Sequence, residues 1–242
     1  MMTLVVGASG ATGRLLVKQL LNRGLKVKII VRAPERLPED LRNHENLSLI
    51  CAHVLDLSDS ELAQLVNGCG AVASCLGHNL TLQGMYGPPR RLVTDATRRL
   101  CAAIQSNKPP QPVRFVLMNT AGNSNRDIPE KVSLAEQAVV GLIRLLLPPH
   151  ADNEQAADYL RTKIGQDHAV IEWTAVRPDT LIDENEVSEY VLHPSPIRSS
   201  IFDPGKTSRI NVAHFMAALM TEDDLWGRWK GQMPVIYNKA WA

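Results

Sequence analysis

Gly7-Ala8-Ser9-Gly10-Ala11-Thr12-Gly13 stands between a β-branched run, Thr3 to Val6, and an amphipathic stretch, Ala11 to Arg23, that Gly24 brings to a stop. Leu15, Leu16, Gln19 and Leu20 recur at helical spacing on that stretch, so the order is strand, glycine turn, helix. Such a turn offers unpaired N–H groups and the positive end of a helix dipole to an anion. Gly7 permits the tight turn, Gly10 clears the approach of a pyrophosphate, and Gly13 lets helix and strand pack closely, with Ser9, Ala11 and Thr12 completing the loop. Three glycines alone are a weak pattern, compatible with a turn that binds nothing. The flanking strand and helix are the context the motif requires.

The same alternation continues along the chain. Lys26 to Val31, Leu47 to Cys51, Ala71 to Ser74, Arg114 to Met118 and Trp173 to Val176 have the character of buried strands. Helical runs separate them, among them Arg90 to Ser106, ended before Pro109-Pro110. Strand and helix in repetition predict right-handed crossovers and a parallel sheet covered on both faces. Two segments break the rhythm: a Gly/Pro-rich loop over residues 77–90, a binding-loop candidate, and an insertion over 123–150 with its own helix, about Val132 to Leu147. After Pro178 the chain is rich in Pro and Ser, and residues 179–208 suggest a small substrate cap within a single domain spanning 1–242. A last helix, Val212 to Met220, and a strand near Pro234 to Tyr237 return to the main body.

Composition excludes several classes of function. Twenty-six Lys and Arg against 25 Asp and Glu give a net charge of +1, too small to recruit nucleic acid or an anionic membrane. The apolar run Val139 to Leu147 is short of the roughly eighteen residues of a bilayer span and is broken by Arg144. No basic leader precedes the first strand, and Cys51, Cys69, Cys75 and Cys101 fall at irregular spacings, so the expectation is a cytoplasmic chain with reduced, mostly buried thiols. The seven histidines show no metal spacing, and no metal is expected. Arg90, Arg91, Arg98 and Arg99 on one helix suggest phosphate or RNA only faintly beside the ordinary reading of a solvated face. Trp226 and Trp229 are expected as satellite core or dimer contact.

The end of the second strand selects between cofactors. A carboxylate there serves the ribose hydroxyls of NAD, and a cation accommodates a 2′-phosphate. Arg32, nineteen residues beyond Gly13, carries a permanently charged planar fork and points to NADP, unless it is an idle surface arginine. Asp56-Leu57 after the third strand either meets the adenine amine or caps the helix that begins near Ser58.

The ordered set of Gly7-x-x-Gly10-x-x-Gly13, Val31-Arg32, Asp56-Leu57, Cys75-Leu76-Gly77 and Val176-Arg177-Pro178 resembles the atypical short-chain dehydrogenase/reductases. The resemblance is to their NAD(P)H-binding, NmrA-like members and their flavin and biliverdin reductases. It extends nearly end to end, since Arg209 to Met216 resembles their returning helix, and it departs at the 123–150 insertion. It implies a Rossmann-type, doubly wound α/β sheet with a small C-terminal cap. It also implies a dinucleotide site lined by Gly7, Ser9, Gly10, Ala11, Thr12, Gly13, Arg32, Asp56, Leu57, Leu76, Gly77, Thr120 and Pro178.

Relatives that reduce carbonyls carry a Ser or Thr after strand five and a Tyr-x-x-x-Lys on the following helix. Tyr159-Leu-Arg-Thr-Lys163 matches that pattern, yet only 15 residues separate Lys163 from Pro178, fewer than in relatives with a working pair. Alignment on Leu160 and Arg161 puts the family's Tyr position near Pro149 and its Lys position near Asn153, and a proline donates no proton. Tyr159 is therefore read as an ordinary, partly buried helix residue. Thr120 takes the Ser/Thr position, with Ser124 as fallback, and His150 or Asn153 is the candidate proton donor or substrate anchor. The alternative is that Asp152 or Asn153 caps the helix opening there, with His150 in solvent. His78 is expected near the nicotinamide as a backbone support rather than an acid.

The whole points to an NADP(H)-binding oxidoreductase passing hydride to a small apolar or conjugated carbonyl acceptor. The rival is a non-catalytic NADP(H) sensor or scaffold, homodimeric or meeting a protein partner through the 123–150 insertion.

Overall fold

The computed structural model describes residues 1–78 and 81–241. Asn79 and Leu80, inside the expected binding loop, lie outside the described residues, as does Ala242. Among the described residues ten strands are present: β1 Met2–Val6, β2 Lys26–Val31, β3 Leu47–Cys51, β4 Cys69–Ser74, β5 Val113–Met118, β6 Ile171–Pro178, β7 Thr180–Ile182, β8 Tyr190–His193, β9 Lys206–Ser208 and β10 Val235–Asn238. The helices are α1 Ala11–Asn22, α2 Glu39–Arg42, α3 Asp59–Val66, α4 Leu82–Tyr86, α5 Leu92–Asn107, α6 Leu134–Leu146, α7 Pro148–Tyr159, α8 Arg209–Thr221 and α9 Asp223–Trp229.

Eight strands form one sheet in the order β3-β2-β1-β4-β5-β6-β10-β8. All its pairings are parallel except that of β8, which runs antiparallel to β10. Strand side chains alternate between the two faces, as pleating demands. On β1, Val5 enters a core with Leu16 and Leu20 of α1 and Phe215 and Met216 of α8. Leu4 and Val6 enter another with Leu62 of α3, Leu100 and Ile104 of α5 and Leu160 after α7. The sheet is thus doubly wound, with a core on each face. From β1 the chain steps outward through β2 and β3, then crosses back to β4 on the far side of β1, and that reversal leaves a crevice above the strands' C-terminal ends.

The central elements match the sequence pattern within two residues, because β-branched runs and helical stripes are local signals. The periphery differs. β7 and β9 form a separate parallel pair, and β8 extends the main sheet, so the 179–208 segment contributes an edge strand as well as loops. Helix α9 was not anticipated; it buries Trp226 and Trp229 in the α1/α8 core, so neither ring is free for a dimer contact. The four cysteines are free, with Cys69 and Cys101 buried and Cys75 half-buried; Cys51, on the edge strand β3, is the exposed exception. Arg99 is not a solvated helix cation: its guanidinium donates to the carbonyls of Val54, Leu55 and Leu57 and pairs with Asp59. Among the described residues no helix is long and apolar enough to cross a membrane.

The insertion folds as α6. Ser133 caps it, and Glu136 is its one buried residue. Leu134, Leu142, Leu145 and Leu146 are exposed. Polar contacts attach it, Glu136 to Ser200, Arg144 to Glu154 and the Leu146 carbonyl to Tyr86.

Candidate functional site

A cleft of about 310 Å³ opens at the crevice between β1 and β4. Gly7, Ser9, Gly10, Ala11 and Thr12 form its floor, Arg32 and Arg36 one end, and Leu76, Gly77, His78, Leu92 and Met118 the other. Gly7 has φ +75, and a Cβ there would lie 2.4 Å from the Cys75 carbonyl carbon. Gly13 does not border the cleft but allows it: its Cβ would lie 2.2 Å from the Gly7 carbonyl oxygen. Only glycine permits this approach of turn, strand and helix.

Helix α1 begins at Gly10 with no side-chain cap and no acidic residue in its first turn. By contrast α3, α6 and α8 are capped by Ser58, Ser133 and Ser208. A bare N-terminus facing a cleft is an anion seat, and the residues present therefore fit a dinucleotide pyrophosphate. Cys75, also in the wall, is no nucleophile, because burial pushes its thiol up to about 12.

The adenosine end differs in detail from the sequence reading. Arg36, which the sequence reading missed, joins Arg32 because Pro34 starts a short 3₁₀ turn, Pro34–Arg36, that brings the chain back toward the cleft. Neither guanidinium is in an ion pair among the described residues. Asp56 and Leu57 do not border the cleft; Ala52, His53 and Val54, at the end of β3, do. Nor does Asp56 cap α3. Ser58 does so in a capping box with Glu61, while the exposed Asp56 carboxylate lies 3.7 Å from His53 Nδ1. Thr120 and Pro178 likewise do not border the cleft; they follow Met118 and end β6, joined by the Ala121 N–H donating to the Pro178 carbonyl at 2.9 Å.

Two candidate side chains, Thr120 and His150, converge beside that point with Ser200, which the sequence did not single out. A methyl group placed on Gly122 would lie 3.6 Å from His150 Cε1 and 3.9 Å from both Thr120 Oγ1 and Ser200 Oγ. His150 is not in solvent: its Nε2 is buried without a hydrogen-bond partner, and burial lowers its pKa. Asn153 contributes its carbonyl, which accepts from Asn119 Nδ2 at 2.9 Å, and so ties α7 to the end of β5. Ser124 is exposed. Tyr159 packs on the α5 side of the sheet with Arg98 over its ring at 5.5 Å, and Lys163 is exposed, so this pair does not face the cleft.

Asp152 caps a helix, but not its own. Its carboxylate accepts from the backbone N–H groups of Val93 and Thr94, at 2.8 and 2.9 Å, in the first turn of α5. It also meets His78 Nε2 at 2.8 Å, and His78 Nδ1 lies 3.1 Å from the Gly84 carbonyl oxygen. His78 is thus the support the sequence reading expected, with a partner 74 positions away. Among the described residues no cluster of three or more His, Cys, Asp or Glu could hold a metal.

The sequence matches the family described as NAD(P)H-binding over residues 7–223, which begins at the glycine turn and takes in every residue that borders the cleft except Val6. The chain belongs to that family. No curated sequence relative matches the chain. Solved structures share the fold of this NAD(P)H-binding protein at low identity. A short-chain dehydrogenase/reductase from Veillonella parvula, in complex with NADP, superposes with TM-score 0.71 at 16% identity, over 99% of this chain and 95% of that one. An anaerobillin reductase from Escherichia coli gives 0.67 at 16%, over 99% and 98%. The oxidoreductase ylbE from Lactococcus lactis gives 0.69 at 17%, over 98% and 91%.

Proposed function

We propose that this NAD(P)H-binding protein is a cytoplasmic, NADP(H)-dependent oxidoreductase of the atypical short-chain dehydrogenase/reductase kind, acting on a small carbonyl or conjugated acceptor. The observation that carries the cofactor choice is the pair Arg32 and Arg36 at the adenosine end, where a carboxylate would serve NAD. The pyrophosphate takes the bare N-terminus of α1, and Gly7 and Gly13 keep that approach open.

NADPH supplies the hydride when bound; the chain's own residues orient the acceptor and manage its proton. Thr120 Oγ1 and His150, which meet around Gly122 beyond the Met118 end of the cleft, are the groups assigned to the acceptor oxygen in this reading, with Asn153 holding α7 in place. Because burial lowers the His150 pKa, its imidazolium is the stronger acid once formed, and turnover rises as pH falls toward its protonation. One observation favours the rival sensor reading: the exposed leucines of α6 are suited to a protein partner or a second copy.

The test is an equilibrium titration with NADPH and with NADH on the wild type and on Arg32→Ala, followed by acceptor-dependent NADPH consumption by the wild type and His150→Gln. Expected are preference for NADPH, its reduction about 10-fold or more in Arg32→Ala, since a charge-assisted contact is lost, and slower turnover with near-normal NADPH affinity in His150→Gln. If NADPH binds but no acceptor consumes it, the sensor reading replaces the enzyme. If neither nucleotide binds, both fail.

A further inference from the structure

The wall of the cleft opposite the arginines contains an ionisable pair that neither binding nor proton transfer uses. His78 and Asp152 have side chains 4% and 0% exposed, 2.8 Å apart. Their protonation follows from the hydrogen-bond pattern. The Gly84 carbonyl only accepts, so His78 Nδ1 carries a hydrogen. Nε2 faces a carboxylate that already accepts two backbone N–H groups, so Nε2 carries one as well. The ring is an imidazolium between a carbonyl and a carboxylate. It joins the end of β4 to α4 through Gly84, to α7 through Asp152 and, through that carboxylate, to the first turn of α5. His78 itself borders the cleft, as do Gly77 and Leu92, the residues that precede His78 and Val93 in the chain.

We infer that His78 and Asp152 form a proton-dependent clamp on this wall of the cleft, and that loss of the His78 proton loosens the wall and weakens NADP(H) binding. The inference rests on the nucleotide reading above. Asp152 acts here as a positioning residue, through His78 and the α5 amides.

The electrostatics agree with the geometry. The hydrogen bond to Asp152 raises the His78 pKa against the opposing effect of burial. Asp152 is raised by burial, but the hydrogen bonds from His78, Thr94 and Val93 outweigh this and leave it lowered. Facing the pair are the Gly84 carbonyl from α4, the Val93 and Thr94 amides from α5, and Asp152 itself from α7; among the described residues each member is the other's charged partner. His150, two positions from Asp152, responds instead to Glu154 and Arg144. A raised histidine pKa fixes the sign: the contribution is complete below the ordinary imidazole value and is lost as pH rises through the raised one. The lowered Asp152 is lost only at acid pH, outside that window.

NADPH affinity is measured from pH 6.5 to 9 on the wild type and on His78→Gln. The wild type is expected to weaken by about 5-fold or more across one protonation, the lower end of measured coupling between sites. His78→Gln should be weak throughout and lack that step. Superimposed profiles overturn the clamp. A second measurement needs neither nucleotide nor variant: hydrogen-exchange protection of the Val93 and Thr94 amides in the wild type, corrected for intrinsic rate. Protection that declines over the same pH range supports the clamp, and constant protection overturns it. Declining protection with no NADPH binding at any pH removes the nucleotide reading and the cleft role, and leaves a structural clamp only.

Discussion

Two helix N-termini reach the same cleft and are treated in opposite ways. Helix α1 starts at a glycine, with neither a capping side chain nor an acidic residue in its first turn. Helix α5 starts beside Leu92 in the cleft wall, and its Val93 and Thr94 amides are already taken by a carboxylate from α7. Both begin with orphan donors and a positive dipole end. The protein fills one with its own anion and leaves the other for a ligand's. The difference is what supports placing the proposed pyrophosphate at α1 rather than at α5, which forms part of the wall. Asp152 itself does not border the cleft, and its charge is paired with His78, which does.

The comparison is most severely tested by emptying the filled site. Asp152→Ala leaves His78 Nε2 and the Val93 and Thr94 amides without their partner, and is expected to lower stability by about 3–5 kcal/mol, measured as the denaturant midpoint and slope. An unchanged midpoint would mean the pair is not buried as described. The converse is to fill the empty site. Gly10 has φ −74, and a Cβ there meets only the Gly7 carbonyl oxygen, at 3.2 Å, so a side chain fits once that carbonyl gives by a few tenths of an ångström. Gly10→Asp should keep stability within about 1 kcal/mol, because Asp is a good cap, yet reduce NADPH affinity at least about 100-fold by placing a carboxylate where the pyrophosphate belongs. Retained affinity would move the anion seat elsewhere. The smallest effect is expected far from both termini. Tyr159→Phe should change turnover less than about 2-fold and stability by no more than about 0.5 kcal/mol, since its hydroxyl faces neither cleft nor candidate donors. A large loss of turnover would restore Tyr159-x-x-x-Lys163 as the proton-donating pair.

How much of this was readable in advance depends on the distance over which each feature is encoded. The glycine turn is complete within seven residues, and Gly10 and Gly13 answer contacts inside it, so sequence order reveals them, whereas the contact that demands Gly7 is with the Cys75 carbonyl after β4 and is made by the fold. Arg32 is placed by the end of β2, and Arg36 could have been found from Pro34, which starts the turn that returns it to the cleft. Asp56 failed as a cap because Ser58 and Glu61 already satisfy α3. Tyr159 shows the converse: a five-residue pattern was legible, but which way its face points is set by packing of α7 on α5, and it points to Arg98.

The chain order alone determined the doubly wound α/β sheet, the crevice beside β1 and the uncapped glycine turn at the head of α1, because strand periodicity, the turn and helix stripes act between near neighbours. Only the tertiary structure decided which titratable groups meet. His78 and Asp152, 74 positions apart, and His150 with Thr120 and Ser200 around Gly122, come together through the crossing of α5, α7 and the strand ends. Desolvation and charge pairing are properties of that enclosure, and no local pattern of residues encodes them.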